Sequence, residues 1–502
     1  VENGCVYLFR IYNNDYSAYK KAGSKIKTHT RYLDYLFSDE NEKTDLIKLL
    51  GGLEVFYREP QIKNPYVHKK GSILVNKKYK DGTIIGNEYK ELFKKAQTTK
   101  LDNVYTRACP YDIIKDKRYT MEQFEVHFPI LIGNDNNPEN FIEMSKHFVE
   151  NAKHTVVVGR NRDNLLYVSV YEENALIHSK SLNKVNGTNY KDKLFIIEDA
   201  KKNNARNWKT IGSNDALLTG YISAVIKDIT DLVLKYNAAL VIEMGSNLAK
   251  DRNLLPNRVY TKFKEALLHK LEFLIDSEKA DDEPGGLLHP YHLTEINKKN
   301  PKRSIDTPHN GIVLLVPSFY CGLTDPESNL CNLTYARTKK EKEEVLKKIK
   351  GFKYNKEESI FEFVYDMSLF NPNMKGKFTC TSNGDRLVDT ENDKVVMDLT
   401  HYIEDKLKSL GIEYKSGNEI NLISDDGLTN ETLFNCIRYT LQMNNGNFFI
   451  SPVTGFCYTC DGCSNISYNR NLYNRSKLVK ENIKSGKKLK FMTIKDIYKP
   501  QS

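Results

Sequence analysis

The chain has 502 residues, 40% hydrophobic and 28% charged, which excludes a disordered polypeptide and is too long for one ordinary domain, so two to four are expected. Its net charge of +10, from 75 Lys and Arg against 65 Asp and Glu, favours a polyanionic partner: RNA, DNA or an anionic membrane surface. No run of about 18 apolar residues exists, so no membrane span or membrane partner is expected.

The opening, "VENGCVYLFRIYNND", is polar and lacks the apolar core of a signal peptide. It also lacks an initiating Met, so a fragment is expected. Nine cysteines without a secretory signal point to the reducing cytoplasm and against disulfides. Residues 1 to about 150 read as short strands with basic loops, among them "VYLFRIYN", "LEVFYRE" and "QFEVHFPILI".

From 155 the pattern changes. Strands are expected at 155–158, 165–170 and 176–182, at hairpin spacing, with "YEENA" as one turn. A helical stretch follows, "YKDKLFIIEDAKKNNARNWKTI". Next is a helix, "ALLTGYISAVIKDITDLVLKYN", with Ile222, Val225, Ile226, Ile229, Leu232 and Val233 at helical period. A buried strand (238–243), a helix (about 256–277) and a strand (311–317) complete an RNase H-type order. A charged amphipathic helix over 336–350 opens an insertion running to about 450, and residues 451–502 end in a basic tail, "RSKLVKENIKSGKKLK".

Two-metal hydrolysis on such a core needs carboxylates from separate strands around Mg2+. Glu243 stands where the core puts its second acid. The first acid is expected at the end of "TVVVG", where the residue is Gly159. Near the C-terminus "CYTCDGC" offers Cys457, Cys460 and Cys463. Zn2+ wants four ligands, so Cys436 or a distant Cys would have to complete the set, and an iron–sulfur cluster would also lack a ligand. Free cytosolic thiols are the other reading.

Ten motifs in order carry a resemblance: "LEVFYRE", "HKKGSILVNKKY", "YDIIKDKRYT", "RNRDNLLYVSV", "NYKDKL", "KYNAALVIE", "PGGLLHPYHLT", "DPESNLCNL", "LQM" and "ISPV". The chain resembles the C-terminal part of the type V-A CRISPR effector nucleases, the Cas-twelve-a or Cpf family. The resemblance covers nearly the whole chain and weakens after about 455. It implies an α/β multidomain fold. A β-rich, oligonucleotide-binding-like wedge domain (1–150) precedes an RNase H-like RuvC core in three segments (151–195, 213–335 and 451–502). A bridge helix (196–212) and an inserted nuclease-lobe domain (336–450) interrupt the core. A family effector's recognition lobe would precede Val1, so a separate chain supplying it is a candidate partner.

The resemblance also implies what became of the nuclease triad. Its first aspartate falls on Gly159, its glutamate on Glu243 and its last aspartate on Cys463, so a degenerate RuvC site is expected. Asp163 or Asp461 could be recruited by a shifted loop. The arginine that assists cleavage in the family falls on Arg386, whose plain reading is a solvated side chain. The family trims its own guide-RNA precursor without metal. There the matching residues are His68 as general acid or base and Lys77 and Lys115 as cations for the phosphorane. Lys69, Lys70, Lys78, Lys117 and Arg118 would contact the phosphates of the RNA hairpin. Trp208 matches the bridge-helix residue that anchors the recognition lobe. The expected function is guide-RNA binding and precursor processing, with no cofactor, on a core that holds an RNA–DNA heteroduplex with target DNA without cutting it. The rivals are a Mg2+-dependent RNA-guided DNA endonuclease with relocated ligands, a non-enzymatic RNA-binding scaffold, and a decaying gene fragment.

Overall fold

A computed structural model describes Asp15, residues 26–45, 47–49 and 51, short backbone strands between 54 and 132, and residues 138–498 apart from 161–163, 195, 197–213, 245–256, 273, 277, 282, 290, 292–308, 391–392, 460–461 and 488–489. The chain divides into two compact units, residues 33–134 and residues 1–32 with 135–502.

The unit over 33–134 is built from antiparallel strand pairs nested one inside another. Ile47–Leu49 pairs with Ile130–Ile132, Glu54–Arg58 with Gln123–His127, and Val67–His68 with Ile113–Ile114. Innermost, Val104–Ala108 lies between Ile73–Val75 and Thr98–Leu101. The β-branched and aromatic residues in these runs suit a pleated surface. The helix Asp39–Thr44, capped by Ser38, had no counterpart in the all-strand expectation for this region.

The second unit is organised on a six-stranded sheet. Its elements in chain order are α1 (Pro138–Asn151), β1 (His154–Gly159), β2 (Tyr167–Glu172), β3 (Ala175–Ser181), α2 (Asn214–Tyr236), β4 (Ala239–Met244), α3 (Asn257–Glu272), β5 (His309–Asn310) and β6 (Val313–Pro317). The strand order is β3-β2-β1-β4-β6-β5. β1 runs antiparallel to β2 and parallel to β4, and β4 runs parallel to β6. Alternation along each strand decides which layer a residue joins. Val156, Val158, Leu240, Ile242, Val313 and Leu315 face α2 and α3. Val157, Ala239, Val241, Leu314 and Val316 face the opposite layer. Both faces are covered, so the central strands read as unbroken apolar runs.

Two expectations need correction. The charged helix expected over 336–350 is only Lys339–Leu346: Thr338 caps its start in a box with Glu341, and Lys350 already begins a strand. The expected basic tail is a 22-residue helix, α4 (Cys463–Lys484), laid across the sheet with Arg475, Ser476, Val479 and Ile483 buried. Its Asn471 donates to the carbonyls of Cys321 (2.9 Å) and Thr324 (2.8 Å), and Arg475 to those of Pro317 (2.7 Å) and Phe319 (2.6 Å). These bonds satisfy backbone carbonyls at the end of β6 and just beyond it, which is why so polar a helix can be buried.

His309 at the sheet edge is 8% exposed, and burial pushes its imidazole down to about 4, with Lys146 adding to the shift. The folded form therefore stays neutral where the unfolded chain takes up a proton near 6.5. That linkage is absent above pH 6.5 and costs stability as the pH falls from 6.5 towards 4. We expect His309→Gln to remove about 2–3 kcal/mol of the stability lost between neutral pH and pH 4.5. Urea midpoints of both proteins at the two pH values check this, and equal pH slopes would refute it.

Candidate nuclease centre at the end of the central sheet

β1 and β4 are parallel with Val158 opposite Ile242, so Gly159 and Glu243 are the next positions at the same carboxyl edge of the sheet. That edge is where open α/β sheets build their sites. Glu243 is fully buried. One carboxylate oxygen accepts from Nε of Arg160, which is 1% exposed, and the other accepts from the Tyr468 hydroxyl. Tyr260 donates to the Glu243 carbonyl at 2.9 Å, and the Arg160 guanidinium lies 4.5 Å from the centre of the Tyr260 ring. Burial and the Glu243 charge together push both tyrosine hydroxyls well above their ordinary range, so both remain donors. Burial, with Arg160 adding to it, lowers the nearby Lys264 ammonium.

Gly159 is explained by close approach. A Cβ there would lie 2.2 Å from the amide oxygen of Asn469 and 3.0 Å from the Tyr468 ring. Asn469 is fixed in turn, its amide nitrogen donating to the Tyr167 carbonyl and the Ser169 hydroxyl, each at 3.0 Å. Thus α4 fills the space in which a side chain on the first strand would stand.

Cys463, the first residue of α4, is buried, and its thiol donates to the Asn447 carbonyl at 3.2 Å. Mg2+ wants hard oxygen ligands in near-octahedral array. The described residues supply one carboxylate, and its two oxygens are engaged by a cation and a phenol. This donor set does not fit a two-metal centre. Asp163 and Asp461 lie outside the described residues.

Arg386 is not a solvated side chain. It is fully buried, donating from Nε to the Tyr439 carbonyl (3.2 Å) and from one terminal nitrogen to the carbonyls of Asn383 and Asp385 (3.0 Å each). Burial lowers it to about 10. Its hydrogen bonds stay within residues 383–439, and it does not join Glu243. Cys457 is exposed, Cys463 is buried, Cys436 is buried and pushed up to about 12, and Cys460 is outside the described residues. Among the described residues no three His, Cys, Asp or Glu side chains converge as a metal site. His68 has a described backbone but not a described side chain. Lys69, Lys70, Lys77, Lys78, Lys115, Lys117, Arg118 and Trp208 lie outside the described residues. Among the described helices none is long and apolar enough to cross a membrane.

The sequence reading missed Arg160, Tyr260, Tyr468 and Asn469. Arg160 had a signal, a charged residue directly after a buried β-branched run. The other three had none, being ordinary members of mixed helices.

The β1–β2–β4 sheet is compatible with two family matches. Residues 136–374 match the RuvC nuclease domain, starting beside the unit boundary at 135, and residues 324–461 match a nuclease domain. The two matches, which overlap over 324–374, support a RuvC-type nuclease.

Proposed function

We propose that this chain is a relative of the type V-A CRISPR effectors that binds a guide-RNA hairpin and trims the precursor without metal, and that its core holds target DNA without cutting it. The observation that carries the first half is a strand register. His68 pairs with Ile113, on a strand whose last residue, Ile114, directly precedes Lys115. This register supports the reading, because His68 lies opposite a strand that ends one residue before Lys115 in the sequence. In the trimming reaction a base takes a 2′-hydroxyl proton, an acid protonates the departing 5′-oxygen, and lysines offset the phosphorane charge. The Arg160–Glu243 pair supports the second half, because a buried guanidinium already occupies the remaining carboxylate.

Incubation with a hairpin-bearing precursor RNA in EDTA tests the reading. Cleavage is expected, and His68→Ala should slow it by about 10²–10⁴-fold while leaving binding intact. Absence of binding, or cleavage indifferent to His68, would overturn it. Mg2+-dependent cleavage of single-stranded DNA that is lost in Glu243→Ala would instead establish an active DNA endonuclease.

A further inference from the structure

A pocket of about 390 Å³ opens beside the β2–β3 turn, away from the Glu243 centre, where that turn meets strand Cys457–Thr459 and α4. Its walls include Tyr171, Phe456, Tyr458 and Ile466, with Arg470 and Glu327 as its charged groups. The volume is near the lower end of the ~300–1,000 Å³ typical of ligand sites, enough for one small planar group and too small for a duplex.

The aromatic walls are held from behind. Tyr171 is 1% exposed, stacks on Tyr473 at 4.5 Å and donates to the Ile466 carbonyl at 3.4 Å. Tyr458 stacks on Phe449 at 4.9 Å. Phe456, 48% exposed, stands at the rim 5.9 Å from Tyr458. Arg470 lies 5.4 Å from the Tyr171 ring centre, and one terminal nitrogen donates to the Asn174 carbonyl. Among the described residues its buried Nε has no hydrogen-bond partner. A buried guanidinium donor left unpaired costs free energy that an acceptor on a bound molecule would recover.

Two further cations stand beside the pocket. Lys477, two helical turns along α4 from Arg470, reaches the Asn174 side chain, and Lys480 lies 3.3 Å from the Thr155 hydroxyl. Burial and the neighbouring Lys477 lower Lys480 to about 8, so positive charge is crowded here. Aromatic faces, one unpaired donor and flanking cations together match a base on its phosphodiester backbone.

We infer that this pocket takes a single unstacked base of a single-stranded nucleic acid, the ring against Phe456 and Tyr458 with Tyr171 as the buried floor, a ring acceptor on Arg470 Nε, and the flanking phosphates beside Lys477 and Lys480. The inference rests on the nucleic-acid-binding reading above and adds a site to it. It is tested on the full chain in EDTA by fluorescence anisotropy with a labelled oligothymidine strand, the same strand made abasic, and the hairpin RNA. Phe456→Ala and Arg470→Gln, both checked for unchanged melting, should each weaken the oligothymidine by about five- to a hundredfold. Hairpin binding should stay as it is, and the abasic strand should bind the wild type as weakly as oligothymidine binds the variants. Hairpin binding with no effect of either variant on the strand overturns the pocket alone. An abasic strand bound as tightly as oligothymidine also overturns it, because the lysines would then suffice. Failure of the wild type to bind either nucleic acid overturns both the pocket and the reading beneath it.

Discussion

Gly159→Asp is expected to leave the protein without Mg2+-dependent DNA cleavage and to destabilise it. Two costs combine. The new Cβ would sit 2.2 Å from the Asn469 amide oxygen, so α4 must shift or the strand must bend. Overpacking of that kind costs about 1–3 kcal/mol. The carboxylate would then face an amide oxygen, an acceptor that cannot donate to it, while Arg160 remains on Glu243. Cys463 offers only a thiol at the start of α4, and a thiol is a poor ligand for Mg2+. Thermal melting and cleavage of single-stranded DNA in Mg2+ check the expectation. Cleavage by the single variant would show that Asn469, Arg160 and Cys463 do not block the centre.

The same position shows what the sequence could and could not reveal. The fold was legible because it rests on periodicity: three β-branched residues before Gly159, the apolar run ending at Glu243, and the apolar period of Asn214–Tyr236 each report one local burial pattern. That the first strand ends without an acid was legible in Gly159 itself. What fills the gap was not. Asn469 reaches Gly159 across more than three hundred residues of chain, on a helix whose buried face carries Asn465, Asn469, Asn471 and Arg475. Polar residues buried by bonding to distant carbonyls look, in sequence, like solvated ones, so this helix read as a basic tail. Arg386 misled in the same way. Its burial depends on the carbonyls of Asn383, Asp385 and Tyr439, and no local pattern encodes those.

The pair at the centre gives the other large effect. Arg160→Met removes the cation from a carboxylate that is 0% exposed, and breaking a buried pair from one side costs about 3–5 kcal/mol. Glu243→Gln removes the charge from the other side and leaves the guanidinium buried over Tyr260, with a similar cost. A double variant, Arg160→Met with Glu243→Gln, has no buried charge left in the pair. It should therefore recover much of the loss, with a coupling energy of about 2–4 kcal/mol in a double-mutant cycle. Additive losses would mean that the two residues act separately. Mg2+ supplies a second, independent readout. If Arg160 merely occupies a place that a metal can take, millimolar Mg2+ would restore the stability of Arg160→Met by binding the folded state. Among the described residues one carboxylate gives Mg2+ too few ligands, so no such rescue is expected, and a Mg2+-dependent rise in melting temperature would establish a working metal site beside Glu243.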